Sequence, residues 1–134
     1  MKDIETKADV EKLITLFYGK VVKDASLSPF FANIDLEKHL PHMIHFWCFA
    51  LLDEPGYTTN VVEKHLHMPL KAIHFSTWLQ HFNQTVDALF IGEKAEAAKQ
   101  RAALIGWTIQ SKVEKKLTLT ASLGTFLPSA GTLG

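Results

Sequence analysis

The segment KHLHMPLKAIHFSTWLQHF, residues 64–82, decides how the chain is interpreted. It predicts the end of a short helix that carries His65, a break at Pro69, and then a new helix that carries Trp78. Such an arrangement can direct one imidazole into a cavity whose wall is the following helix. A neutral imidazole is a good ligand for iron, and an apolar shell around it suits a large flat ligand. By itself, however, a histidine in this setting is more commonly a packed core residue or a surface residue.

Helical periodicity extends this interpretation toward the N-terminus. A first helix is predicted to begin near Thr6, with Asp9 in the capping-box position. A second helix is predicted over 36–52, with Asp35 as its cap. Pro41 lies inside it, so we expect an irregular first turn near His39 and a regular helix from Pro41 onward.

The same periodicity predicts three further helices and no strand. A short one is expected over 60–66, a fourth carries the apolar positions between Phe75 and Leu89, and a fifth covers about 93–116. The chain of 134 residues is long enough for one domain. Residues 117–134 contain no charged side chain and are interrupted by Gly, Ser, Thr and Pro, so we expect a loosely ordered tail there. The sequence therefore predicts an all-α domain over residues 1–116.

The composition excludes several classes of function. The 14 basic residues are balanced by 14 acidic ones, which argues against a nucleic-acid binder. Cys48 is the single cysteine, so no internal disulfide forms and a reducing compartment is expected. No secretory signal and no apolar run of about 18 residues is present, so we expect a cytoplasmic protein that does not enter a membrane.

Two motifs together resemble a known family. The run HLPHMIHFW at 39–47, followed by HLHMPLKAIHFSTWL at 65–79, is similar to the third group of bacterial truncated haemoglobins. The segments TVDALF (85–90) and AKQRAALI (98–105) and the pair Phe17-Tyr18 also resemble this group, so the likeness covers about residues 8–115. It implies a truncated globin fold, in which a helical sandwich surrounds a haem b cofactor, and it makes residues 1–116 the globin domain.

The resemblance implies a role for individual residues around the iron. His65 matches the proximal histidine that binds the metal; His67 is its competitor, but only His65 keeps the thirteen-residue spacing to Trp78. Tyr18 and Trp78 match distal residues whose O–H and N–H groups donate hydrogen bonds to a diatomic ligand. His39 matches the distal histidine, which gates the pocket, bonds the ligand, or binds the iron when no ligand is present.

The resemblance also implies which residues contact the cofactor. The phenylalanines after the first helix match one that wedges against the haem ring, the apolar residues of the second helix line the pocket or pack behind it, and two lysines are candidate partners of the haem propionates. These residues are Phe30, Phe31, Met43, Phe46, Lys64 and Lys71.

The leading function implied is binding of dioxygen or another small diatomic ligand, including oxygen transport. The same site suits a peroxidase-like or nitric oxide redox enzyme supplied by an unknown electron donor, because distal donors stabilise the charge that develops when an O–O bond breaks.

Two other classes compete with these readings. One is a non-haem metal site built from histidines and a cysteine of the second helix. These residues recur every three positions, so each is rotated by about 60° around the helix from the one before, and all four cannot converge on one ion. The other is a helical interaction module without a cofactor. The candidate non-haem ligands are His39, His42, His45 and Cys48.

Overall fold

The computed structural model describes residues 1–55 and 70–126, with side chains as far as residue 115. These residues form four α-helices and one short 3₁₀ helix, and no strand occurs among them. The all-α class is therefore confirmed for the described chain, whereas the helix predicted over 60–66 lies outside it. The elements are α1 (Lys7–Val21), the 3₁₀ helix Ser28–Phe31, α2 (Leu36–Leu52), α3 (Ala72–Leu89) and α4 (Glu93–Phe126).

Helix α1 begins where the capping box predicted it. The Thr6 hydroxyl accepts a hydrogen bond from the Asp9 N–H at 3.2 Å, and the Asp9 carboxylate accepts one from the Thr6 N–H at 3.1 Å. A hydrogen bond from Lys2 lowers the pKa of Asp9 to about 2. One face of the helix is buried along its whole length, by Val10, Leu13, Ile14, Phe17, Tyr18 and Val21.

The corner after α1 is held by Asp24. Its carboxylate accepts hydrogen bonds from the Ser26 N–H at 2.8 Å and the Ser26 hydroxyl at 2.6 Å, and lies 2.8 Å from His81 Nε2 on α3. The bonds from Ser26 and His81 hold the pKa of Asp24 well below its usual range. This corner leads directly into the 3₁₀ helix, so it fixes where Phe31 lies relative to α3.

Helix α2 differs from the sequence prediction in its first turn. It is regular from Leu36, because the N–H groups of Lys38 and His39 both bond the Asp35 carbonyl at 3.1 Å. Pro41 lacks the N–H that would bond the Glu37 carbonyl, but both residues are exposed and water can satisfy that oxygen. Asp35 occupies the cap position without making a side-chain cap bond.

The N-terminus caps the longest helix from a distance. The Asp3 carboxylate accepts hydrogen bonds from the N–H groups of Lys94 and Ala95, both at 2.9 Å, and of Ile4 at 2.8 Å. Gly92, which precedes α4, has a φ of 140°, and a Cβ there would lie 2.5 Å from the Asp3 side chain. The start of α4 therefore requires both a glycine at 92 and a carboxylate at 3.

Helix α4 runs ten residues beyond the end predicted from the charged residues and reaches Phe126. The described backbone over 117–126 is thus helical, although it was expected to be loose. Helix α1 packs against α2 and α3, and α3 packs against α4, so the core lies between all four helices. Within the described residues, no helix combines the length and the apolar character needed to cross a bilayer.

We expect Asp3→Ala to lower the free energy of unfolding by about 1–2 kcal/mol at neutral pH, because two N–H groups of α4 lose their acceptor. Burial would raise the pKa of Asp3, but the three backbone donors outweigh it and lower the pKa. The lowered pKa makes this stabilisation fully present above pH ~4, and it disappears as the pH falls through the folded-state pKa.

Urea unfolding at neutral and acidic pH measures both effects. Asp35→Ala is the matched control, since Asp35 holds a cap position without a cap bond and should change stability by less than about 0.5 kcal/mol. Equal effects of the two substitutions would contradict the capping role of Asp3.

Candidate functional site

Tyr18 lies in the last full turn of α1 with only 8% of its surface exposed. Its ring centroid is 4.7 Å from that of Phe17 and 6.0 Å from that of Phe31. Burial raises the pKa of Tyr18 to about 12, and a hydrogen bond with the Trp78 side chain acts in the opposite direction. The phenol thus keeps its proton at any physiological pH.

Trp78 is half-buried on α3 and is held by aromatic packing. Its ring meets Phe17 edge-on at 5.4 Å and stacks on Phe82 at 5.9 Å with an interplanar angle of 15°. On the α4 side, a Cβ placed at Gly106 would lie 3.9 Å from the indole. These three contacts set the position of the indole.

The Tyr18 phenol and the Trp78 indole both contact Phe17 in this aromatic cluster. An indole N–H can only donate, whereas a hydroxyl has one donor and two acceptor positions. The Tyr18 oxygen is therefore able to accept from the indole while its O–H donates to a third group. The two side chains thus offer polar tips beside apolar rings.

Apolar side chains from two elements border this pair. Phe31 from the 3₁₀ helix and Met43 and Phe46 from α2 are partly buried and pack against the same core. Behind them, Trp47 stacks on Phe82 at 4.8 Å. A flat, mostly apolar cofactor fits side chains of this kind, since they can cover its faces while two polar tips remain for a bound ligand.

Phe30 and Lys71 lie together at the first turn of α3. The Phe30 ring is 4.8 Å from the His74 ring, and His74 Nδ1 accepts a hydrogen bond from the Lys71 N–H at 2.9 Å. Lys71 is exposed at the cap position of the helix. Phe30 thus contacts His74 on α3, whereas Phe31 contacts Tyr18 on α1, so the two adjacent phenylalanines pack against different helices.

His39 lies on α2 one turn before Met43, and its side chain is exposed. The described contacts do not bring it together with Tyr18 or Trp78, so the gating role stays a prediction. The proximal histidine His65, its competitor His67 and the propionate candidate Lys64 lie outside the described residues.

The described side chains also bear on a non-haem metal site in α2. Cys48 is fully buried, whereas His39 and His42 are exposed. In the described part of the chain, no group of three ligand-type side chains is close enough to hold an ion.

Three residues that fix the site were not identified as functional from the sequence. From the sequence, Phe17 is only part of the pair Phe17-Tyr18 and Phe82 only one of the apolar positions of the fourth helix, yet both contact Trp78. Gly106 was not considered at all. The available signal was a glycine inside a helical pattern, which usually marks a close packing contact.

Comparisons with known proteins identify the family and the fold of the chain. A family model described as bacterial-like globin matches residues 2–110. A group 3 truncated hemoglobin, Ctb of Campylobacter jejuni, is 30% identical over 113 residues, which are 79% of this chain and 89% of that protein. The crystal structure of a group III truncated hemoglobin from Campylobacter jejuni matches with a TM-score of 0.76 and 30% identity, over 84% of this chain and 95% of that one. The truncated globin fold predicted from the sequence is thereby confirmed.

The raised pKa of Tyr18 predicts a distinctive alkaline titration. The chain has two tyrosines, and the absorbance of the Tyr18 phenolate should develop only near pH 12. Because the folded-state pKa exceeds the unfolded value of 10.0, the stabilisation from neutral Tyr18 is complete below pH 10 and is lost as the pH rises through 12.

Near-ultraviolet difference spectra of wild type and Tyr18→Phe measure this step, with Tyr57→Phe as the control that keeps it. A Tyr18-dependent step near pH 10 would show that the phenol is not buried as described.

Proposed function

The chain belongs to the bacterial-like globin family, whose cofactor is haem, and we propose that it binds a small diatomic ligand at a haem iron held by His65. The resemblance to group III truncated haemoglobins is confirmed by the relative and the solved structure. The observation that carries the proposal is the aromatic cluster in which Phe17 contacts both Tyr18 and Trp78, two side chains that each combine an apolar body with a polar tip. Dioxygen is the ligand we propose first.

The cofactor proposed is haem b, held by apolar contacts on its faces. When bound, haem would supply an iron that binds a small diatomic molecule, and His65 would hold that iron. Phe31, Met43 and Phe46 are partly buried against the core, so each still has apolar surface with which to contact a cofactor. Lys71 is exposed and offers a cation to a propionate; Lys64 is proposed for the same role from its match in sequence alone.

Tyr18 and Trp78 act as a donor relay toward the ligand. Trp78 donates to the Tyr18 oxygen, and that donation polarises the Tyr18 O–H, which strengthens the bond it makes in turn. Phe17 and Phe82 exclude water from the indole. Dioxygen carries partial negative charge when it is bound, so the relay should slow its release, with each hydrogen bond worth about 1 kcal/mol.

His39 is proposed to act at the entrance of the pocket. Its exposure favours a side chain that swings between solvent and the ligand over one that is permanently buried beside the iron. Met43 lies one turn further along α2, on the same side of the helix, so a movement of His39 would occur at the pocket's edge.

A redox role is the second candidate, and the same pair of donors favours it. Donors fixed in an apolar surrounding stabilise the charge that develops during O–O cleavage, which is what peroxidase-like or nitric oxide chemistry requires. Slow ligand release also argues against simple oxygen transport. Such a reaction needs an electron donor that the chain does not identify, and the single cysteine is consistent with the reducing cytoplasm that would supply one.

The ligand assignment is tested by two neighbouring substitutions. We expect His65→Ala to abolish stoichiometric haem uptake, because the axial bond is lost, whereas His67→Ala should bind haem as the wild type does. Titration with haem, followed by the Soret band before and after addition of carbon monoxide, measures both. The reverse pattern would make His67 the ligand, and no uptake by the wild type would overturn the proposed function.

The donor relay is tested by dissociation kinetics. Tyr18→Phe and Trp78→Phe should each raise the dioxygen dissociation rate about five- to tenfold, as expected from losing about 1 kcal/mol. Because Trp78 acts partly through Tyr18, the double variant should lose less than the sum of the single effects.

Trp107→Phe is the control for this experiment, since Trp107 is 67% exposed and lies on the side of α4 away from the core. Flash photolysis or stopped-flow mixing gives the rates. Unchanged rates in both single variants would remove the distal donors from the mechanism.

A further inference from the structure

Helix α4 uses only one side for the core. Ala95, Ala98 and Ala102 are almost completely buried, together with Ile109 and Val113 further along the helix. The opposite side carries two large apolar side chains one turn apart, Leu104 with 57% and Trp107 with 67% of its surface exposed. Leaving both in water is unfavourable, since burying such side chains contributes about 25 cal/mol per Å².

The same side carries charges at its two ends. Glu93 and Lys115 each lie eleven residues from Leu104, one toward each end of the helix. Eleven residues are close to three helical turns, so all three side chains lie on one stripe. Glu93 and Lys115 are exposed, and neither makes an ion pair within the described part of the chain.

We propose that this stripe is a self-association surface on which two copies of the chain pack α4 against α4 in antiparallel orientation about a two-fold axis at Leu104. A two-fold axis brings a surface against its own copy, so Leu104 of one copy meets Leu104 of the other. Positions equally far from the axis on opposite sides then face each other. Glu93 of each copy therefore faces Lys115 of the other, which forms two ion pairs in each dimer.

Charge complementarity is the reason to choose a second copy as the occupant. The stripe is acidic at its N-terminal end and basic at its C-terminal end, so it is complementary to itself only when reversed. A parallel pair would place acid on acid and base on base. Arg101 lies at the centre beside Leu104 and Trp107, and tryptophan and arginine are the residues most enriched at the energetic centres of interfaces.

A shallow groove supports the same register. It has a volume of about 500 Å³ and is lined by Ile91, Gly92, Glu93, Glu96, Ala97 and Gln100. In the antiparallel pair, Trp107 of the second copy lies opposite Arg101, the residue that follows Gln100 at the edge of this groove. The chain segment 111–115 of the second copy lies along the rest of it.

The size of the surface sets the strength of the dimer. The stripe from Glu93 to Lys115 is about 33 Å long, and contact along a single helix pair buries less than the ~1,600 Å² of a standard interface. The dimer should therefore be weak, with a dissociation constant in the micromolar range and an equilibrium that shifts with concentration. This inference does not rest on the proposed ligand binding.

Sedimentation velocity of the full-length chain from about 1 µM to about 200 µM tests the proposal. We expect a mass that rises from monomer to dimer across this range for the wild type. Leu104→Glu, which sets like charges against each other on the axis, and Trp107→Ala should remain monomeric throughout. Ile73→Glu on α3 is the matched control, since Ile73 is 62% exposed, and it should dimerise as the wild type does.

A charge exchange tests the antiparallel register itself. Glu93→Lys alone and Lys115→Glu alone should each weaken dimerisation about five- to tenfold, because two like-charged pairs then face each other in every dimer. The double variant Glu93→Lys with Lys115→Glu should restore it.

Three results would overturn the proposal: a wild-type monomer at every concentration, which would leave the face to a different protein; dimers that Leu104→Glu does not affect; and a double variant no tighter than the single ones. The readout is mass, so it is independent of whether haem binds.

Discussion

The position of Trp78 is the constraint on which the candidate site depends. The indole is held between Phe17 of α1, Phe82 of its own helix and Gly106 of α4, and Phe17 also contacts the Tyr18 ring. At Gly106 a methyl group would just fit at 3.9 Å, whereas a larger side chain would displace the ring. Three helices must therefore be correctly placed to fix the position of the indole.

The placement of α4 depends in turn on the N-terminus. Asp3 accepts hydrogen bonds from the first N–H groups of α4, and Gly92 allows the chain to approach that carboxylate closely. Ile4, directly after Asp3, is completely buried, so apolar packing holds the cap in place. Asp3 thus fixes the start of α4, the helix whose Gly106 supports Trp78, although Asp3 itself does not contact the candidate site.

What the sequence could predict was local. The Thr6 capping box, the limits of α2 and the apolar stripe of α1 follow from spacing within one element, and the structure agrees with each. The sequence predicts an irregular first turn in α2, because Pro41 leaves the Glu37 carbonyl without its helical donor. The turn is regular because water can satisfy that exposed carbonyl, and local spacing does not show which groups are exposed. The continuation of α4 to Phe126 was missed because the segment lacks charges, and charge content does not determine backbone conformation.

The site could be named from motifs, but its geometry could not. The motifs at Tyr18 and Trp78 predict two donors but not what lies between them, and the structure shows that Phe17 contacts both rings. Likewise Phe30 and Phe31 are neighbours in sequence, but one contacts His74 and the other Tyr18. Such pairings arise between elements far apart in the chain, and periodicity contains no information about them.

Gly106 and Trp107 show how closely opposite requirements can lie on one helix. Successive residues of an α-helix are separated by about 100°, so Gly106 can face the half-buried Trp78 while Trp107 extends into solvent. Because Leu104 and Trp107 lie on the outer side, the two sides of α4 differ little in hydrophobicity. The sequence of the helix is therefore only weakly amphipathic, although its inner side is well packed. An apolar residue on the outer side of a helix is costly in a monomer, and the acid at one end of this stripe and the base at the other fit an antiparallel copy that would remove that cost. The helix that supports the ligand site from within would then be the one that joins two copies of the chain.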